Sequence, residues 1–200
     1  VAAERAPAAG SGGPEAPHPD LVAAAAMVFV PDPSVPVVAD EDARHLLDVL
    51  RLHPGERVVA SDGAGRWVRC RVAPGAGRGA RGVDPGAVLE PEGPVEVQAR
   101  RSPAVTVAFA PTKGDRPEWV VQKLTELGVD RIVPLRTDRS VVRWDEGRAT
   151  RAVERLARVA REAGAQSRQP WLPEVAPVAR LDDLAVVAGA APALADWGGP

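Results

Sequence analysis

The sequence has no tyrosine, one cysteine, one methionine and two phenylalanines. Of its 25 basic residues only Lys113 and Lys123 are lysines. Each scarcity excludes something. Cys70 alone can form neither an internal disulfide nor a Cys-based zinc site, which fits a reducing, cytoplasmic setting. His18, His45 and His53 lack Cys or carboxylate partners at ligand spacing, so no metal site and no Ser-His-Asp arrangement is expected. The longest apolar run, LVAAAAMVFV at residues 21–30, is about half a membrane span. Glu4, Glu15 and Asp20 precede it with only Arg5 among them, so it lacks the positive flank of a secretory signal.

What is present is the composition of a globular protein, 45% hydrophobic and 26% charged, enough for one large or two small domains. The net charge of −2 excludes a uniformly basic nucleic-acid binder, so any such binding rests on local charge. The charge is indeed segregated. Residues 113–168 hold 13 basic and 9 acidic residues, whereas residues 1–40 hold one basic and five acidic. That favours a polyanion such as RNA, although a helix face of solvated, ion-paired arginines is the plainer reading for residues 148–161 alone.

Along the chain, residues 1–26 are rich in Ala, Pro and Gly without periodicity and read as a disordered leader or a mis-assigned start. Residues 27–99 read as short strands around one helix. The helix spans 40–52, with Asp40 as N-cap and Leu46, Val49 and Leu50 on its apolar face. Pro54-Gly55 is a turn and Asp62-Gly63 opens a hairpin. Gly63-Ala64-Gly65 is part of that turn and not of a dinucleotide loop, since no helix follows it. PGAGRGARG at residues 74–82 reads as a mobile loop. This pattern suggests a small barrel.

Residues 100–200 change period. VTVAFAP is a continuous apolar strand of the kind buried on both faces. Asp115 is expected to cap a helix with Glu118 as its capping-box partner, with Val120, Leu124 and Leu127 lining one face and Gly128 ending it. RIVPL follows as a parallel strand. A long helix covers about 146–166, with Val153, Leu156, Ala160 and Ala163 inward and a Glu154–Arg158 pair outward. WLPEV reads as a strand, LDDLAVVAGA as a short helix and PALAD as a last strand. The alternation is that of an α/β domain. Ligands of such sheets collect at the carboxyl ends of the strands. Here those ends are PTKGD, RTDRSVVRW and the tail at residues 195–200. Lys113 beside a helix N-terminus makes a ready anion site.

Three segments together resemble the RsmE family of 16S ribosomal RNA uracil-N3 methyltransferases. They are HLLDVLRLHPGERVVASDGAGRWVRCRV, TKGDRPEWVVQKLTELGVDRIVPLRTDRSVVRW and EAGAQSRQPWLPEV, in the family's order. The resemblance covers about residues 27–196 and places both lysines at motif positions. It implies an α+β protein of two domains: a PUA-like RNA-binding barrel at 27–99 and a SPOUT-type α/β domain of the trefoil-knot kind at 100–200. It implies S-adenosylmethionine as cofactor, a homodimer, and 16S rRNA within the small ribosomal subunit as substrate. Expected RNA contacts are Arg44, Arg51, Arg69, Arg71, Lys113, Arg139, Arg143 and Arg168. Asp115 and Glu126 are the candidate carboxylates for proton abstraction. Leu194, Ala195 and Asp196 would edge the cofactor pocket. The family's Gly-Pro-Glu-Gly-Gly loop is absent before Pro200, so the expectation is a partial domain with an incomplete knot, inactive by itself. A non-catalytic RNA-binding module, and an α/β enzyme acting on a phosphate-bearing small molecule, are the other readings.

Overall fold

The computed structural model describes residues 18–76, 87–138, 140, 144–184 and 191–195. The chain forms two compact units. The first is residues 1–104 with 161–172, and the second is 105–160 with 173–200.

The first unit begins earlier than its composition suggests. Pro19–Ala23 is a short helix, α1, where a leader was expected, and Leu21 in it is fully buried. The apolar run continues into β1, Ala26–Phe29, all four residues of which are buried. Residues 21–30 are thus a helix end and a core strand. β2 (Arg57–Ser61) pairs parallel with β1 and antiparallel with β3 (Arg66–Val72). β3 also pairs with β4 (Leu89–Pro91) and β5 (Glu96–Val97), completing a five-stranded sheet. Period-two alternation puts Val58, Ala60, Val68, Cys70 and Val72 into one core, with Val28, Leu46 and Val88. Met27, Phe29, Val59 and Trp67 enter a second, with Leu21, Ala165 and Leu172.

The helix expected at 40–52 is interrupted. Asp40–Arg44 is α-helical, α2, and His45–Val49 is a π-turn. Leu50 N–H bonds to the His45 carbonyl at 2.9 Å, one residue further back than in an α-helix. The wider turn rotates the sequence, so Leu46 and Leu47 are buried while Val49 and Leu50 face solvent. Of the expected face Leu46 is inward, whereas Val49 and Leu50 are not. Ala39 occupies the N-cap position, with no side-chain cap. The hairpin between β2 and β3 is as expected. Gly63 and Gly65 have φ of +74° and +91°, and the Asp62 carboxylate accepts from Ala64 N–H at 2.7 Å and Arg66 N–H at 3.1 Å. The loop from Gly77 onward to residue 86 lies outside the described residues.

The second unit contains the expected βαβ element. β6 (Thr106–Phe109) pairs parallel with β7 (Arg131–Arg136) across the helix α3 (Arg116–Glu126). β7 then pairs parallel with β8 (Glu174–Val175) and β9 (Ala179–Arg180). α3 ends in a full Schellman motif. Gly128 N–H bonds to Thr125 O at 2.9 Å and Val129 N–H to Leu124 O at 3.0 Å, with Gly128 at φ +76°. Its buried face is Pro117, Val121 and Thr125, with Leu124 half-buried; Leu127 is exposed. β6 is less enclosed than its apolar text suggests, with Thr106 exposed and Val107 to Phe109 half-buried.

The long helix α4 runs Glu146–Ser167. Ala152, Leu156, Ala160, Ala163 and Gly164 are buried, Val153 is only half-buried, and the expected Glu154–Arg158 ion pair does not form among the described residues. The short helix α5 covers Leu181–Leu184. Residues 191–195 carry no strand, contrary to expectation, and residue 196 lies outside the described set. Pro192 and the lack of a partner strand among the described residues leave that segment without a ladder.

Candidate functional site

Because β6 and β7 are parallel, the loops after them emerge at one edge of the sheet. The first loop, Pro111 to Asp115, carries Lys113, which is exposed. Gly114 at φ +79° makes the turn into α3, and a Cβ there would meet open space. The capping box expected at this point does not form. Asp115 occupies the N-cap position, but only its carbonyl is used, accepting from Trp119 N–H at 3.1 Å. Glu118 turns to α4 instead, with Oε1 2.7 Å from Arg155 Nε. An arginine across the helix pair outcompetes a backbone amide because the charge-assisted contact is stronger. Glu118 Oε2 is buried and has no hydrogen-bond partner. The first-turn amides of α3 are thus left without a side-chain acceptor, beside a lysine, which is an arrangement suited to an anion.

The second loop is tied at its base. Thr137 N–H donates to Ser140 Oγ at 2.9 Å, the two hydroxyls lie 2.9 Å apart, and Ser140 N–H donates to Thr137 O at 3.1 Å. Ser140 is buried by this closure. Arg136 is exposed at the end of β7. Arg139 and Arg143 lie outside the described residues, as does Asp196. Leu194 is 90% exposed, and Ala195 beside it is exposed as well.

The two candidate carboxylates stand at opposite ends of α3, about 16 Å apart at the helical rise per residue. Only Asp115 is at the carboxyl edge. Glu126 accepts from Lys123 Nζ at 2.7 and 3.0 Å and from Gln122 Nε2 at 3.0 Å. The Lys123 hydrogen bond holds the Glu126 carboxyl below its usual range. Lys123, the second lysine, therefore serves this pair on the helix and not the strand edge.

In the first unit the expected RNA contacts divide into two kinds. Arg44 and Arg51 are exposed. Arg51 stands at φ +57° just past the π-turn, an uncommon conformation for arginine. Arg69 and Arg71 share one face of β3 and are met by acids. Arg69 reaches Asp20 at 3.1 Å and Glu96 at 3.7 Å, and Arg71 is bonded to Glu92 and to the Gly55 carbonyl. Arg69, Asp20 and Glu92 line a cavity of about 260 Å³ with Val59 and Cys70. Burial pushes the Cys70 thiol up to about 12, which makes it inert there. Arg168 ends α4 at φ +59°, and its guanidinium donates to the carbonyls of Ala24, Ala25 and Gln166 at 2.7 to 3.3 Å. It fastens the end of α4 to the entry of β1, so its nitrogens are already engaged.

Arg161, read from the sequence as one of the solvated helix arginines, instead sits with its guanidinium 5.2 Å over the Phe29 ring, donates to Phe29 O at 2.8 Å and pairs with Asp42 at 2.9 Å. Sequence reasoning read Trp171 only as strand and missed its packing role: its indole N–H donates to Gln98 O at 3.0 Å beneath Arg100. A long-range partner leaves no trace in local periodicity.

Comparison with known proteins now bears on these observations. Residues 100–189 match the RNA methyltransferase domain family, and residues 38–78 match the RNA methyltransferase PUA domain family. The chain is 35% identical over 142 residues to ribosomal RNA small subunit methyltransferase E of Mycobacterium bovis, covering 71% of this chain and 51% of that protein. The Bacillus subtilis protein of the same name is 30% identical over 148 residues, covering 74% and 55%. The chain belongs to the RsmE family of RNA methyltransferases. The order of the two matched domains is the order in which the two sheets appear along the chain. Among solved structures, ribosomal RNA small subunit methyltransferase E from Neisseria gonorrhoeae, bound to S-adenosyl methionine, superposes with a TM-score of 0.62 at 24% identity, covering 80% of this chain and 63% of that one. That likeness concerns the fold alone, which is α+β. The chain spans about half the length of the two curated relatives named above.

Proposed function

We propose that this RsmE-family chain acts in S-adenosylmethionine-dependent methylation of N3 of a uridine in 16S rRNA. The observation that carries this reading is the two matched RNA methyltransferase domains, in order, with the Lys113–Gly114–Asp115 turn at the strand edge of the second. When bound, the cofactor would supply an activated methyl group, so the protein's task is chiefly positioning. Leu194 and Ala195, both exposed, would with Asp196, which lies outside the described residues, supply one edge of a pocket for such a group. The described residues do not enclose it.

Uracil N3 carries a proton and must lose it before it can attack carbon. As N3 bonds to the methyl carbon, the carbon–sulfur bond breaks and sulfur keeps the pair. Asp115 is the better placed of the two carboxylates to take the proton, because Glu126 is at the far end of α3 and engaged by Lys123. Lys113 and the free amides of α3 hold a phosphate of the RNA. Arg44 and Arg51 of the first unit also grip RNA backbone, and Arg139 and Arg143, outside the described residues, belong to the same proposal. Internal partners make Arg69, Arg71 and Arg168 weaker candidates for that role. The target base must be unpaired to present N3, so loop RNA is the substrate form. A homodimer, a closed PUA barrel, a SPOUT knot and a cytoplasmic setting belong to the same reading.

The test supplies labelled S-adenosylmethionine and small ribosomal subunits lacking the modification, and identifies the labelled nucleoside by mass spectrometry. Labelled 3-methyluridine is the expected product. RNA binding without label would favour a non-catalytic binding module.

A further inference from the structure

α4 carries arginines at 148, 151, 155 and 158, spaced three, four and three residues apart. At that spacing they form one stripe, about 15 Å long at the helical rise. All four are exposed, on a flank of α4 separate from Ala152, Leu156 and Ala160. The stripe is only half neutralised. Arg148 pairs with Asp145 and Arg155 with Glu118, whereas Arg151 and Arg158 have no ion-pair partner among the described residues. The Glu118–Arg155 contact sets the middle of the stripe against the first turns of α3. The next residue there is Trp119, 60% exposed. Helical geometry turns residue 119 about 100° from Glu118, away from the core residues Pro117 and Val121.

A solvated helix face accounts for arginines, but not for a large exposed tryptophan one residue on from the Glu118 that pairs with Arg155. An apolar protein partner accounts for the tryptophan, but not for a row of guanidinium groups with only one apolar neighbour. A single-stranded nucleic acid accounts for both. Its phosphates take the planar guanidinium fork, and its unpaired bases stack on aromatic faces.

Resting on the RNA-methyltransferase reading above, we infer that the α4 arginine stripe and Trp119 form a track for an unpaired RNA segment, separate from the strand edge that holds Lys113. The two free arginines, Arg151 and Arg158, contact phosphates, and Trp119 stacks a base. Arg155 keeps its partner Glu118 and fixes the geometry of the track.

The experiment measures binding of a fluorescein-labelled single-stranded oligoribonucleotide to the 200-residue chain by anisotropy over a series of salt concentrations. Arg151→Ala/Arg158→Ala should reduce the slope of log affinity against log salt by about 1.4, at about 0.7 per single-strand phosphate contact. Trp119→Ala should weaken binding about tenfold and Trp119→Phe much less, since a benzene ring still stacks. Phe matching Ala would overturn the stacking assignment. Wild-type binding with an unchanged slope in the double variant would overturn the track while leaving the methyltransferase reading intact. No binding by the wild-type chain would overturn both. If Trp119→Ala instead splits a dimer at unchanged RNA affinity, the face belongs to a second copy and the track is wrong.

Discussion

Gly65 lies directly beneath the Trp171 ring. A Cβ on Gly65 would stand 2.4 Å from the indole, and the residue's φ is +91°. Gly65 N–H also donates to the Pro170 carbonyl at 3.0 Å, and Ala64 bridges Trp171. The hairpin turn of the first unit is therefore the seat of a segment from far along the chain. Gly65→Ala should destabilise the first unit by about 2–4 kcal/mol, combining overpacking with left-handed strain. Chemical denaturation followed by tryptophan fluorescence checks this. A change below about 0.5 kcal/mol, within the usual range for surface substitutions, would mean that Trp171 yields freely.

Arg168 separates a structural role from a binding role. Its bonds to three backbone carbonyls predict that Arg168→Ala lowers stability by about 2–3 kcal/mol. Arg168→Lys should recover little, because an ammonium cannot span carbonyls as a guanidinium does. A stable Arg168→Ala protein whose RNA affinity loses salt dependence would return the residue to the RNA surface.

Asp115→Asn and Glu126→Gln test the choice between the two carboxylates. The expected result is a fall of about a hundredfold or more in kcat for Asp115→Asn, with Glu126→Gln close to wild type. The reverse pattern would place the reacting base at the other end of α3.

Lys123 and Glu126 give a pH signature. Lys123 lowers the Glu126 carboxyl, so the pair's contribution is present above the unfolded carboxylate value and is lost as pH falls through the lower folded one. Lys123→Met should raise the Glu126 titration midpoint toward the ordinary glutamate value, as read by carboxyl carbon NMR. An unmoved midpoint would show that Gln122 and the helix hold the carboxylate instead.

Cys70 should resist alkylation in the native protein and react fully after unfolding. Its thiol is held neutral up to about 12 by burial. The sign of the linkage follows: the contribution to stability is complete below the ordinary thiol value near 9.0 and is lost as pH rises toward about 12. Mass-spectrometric counting of iodoacetamide adducts at mildly alkaline pH decides it. Rapid native labelling would mean that the β2–β3 face opens readily.

The sequence made the βαβ element legible because its signals are local: an apolar strand, a helix period, and a glycine at 128 that could only end that helix. The hairpin at Asp62–Gly63 was legible for the same reason. The misreadings share a different cause. The π-turn at His45–Val49 left Leu46 buried as expected but moved burial from Val49 and Leu50 to Leu47, and an inserted residue of helical pitch has no compositional mark. Glu118 matched the spacing of a capping box, but Arg155 claimed it, and the competition was decided by a helix some thirty residues away. Leu21 looked like part of an alanine-rich leader because its burial depends on Trp67 and Leu172, which no window around it contains. At the site, the resemblance of three motifs supplied chemistry that spacing alone would not, whereas the internal partners of Arg69, Arg71 and Arg168 could only be seen in three dimensions.

The first unit borrows residues 161–172 from within the second unit's sequence. During synthesis, then, the N-terminal sheet emerges without its wall. Phe29, Met27 and Trp67 must wait, exposed, until Ala165 and Leu172 have left the ribosome. The intervening βαβ unit has meanwhile had time to fold. A cut after Ala104 would not release an autonomous domain but an unfinished one. The two halves of this protein are separate as compact bodies and inseparable as a gene product.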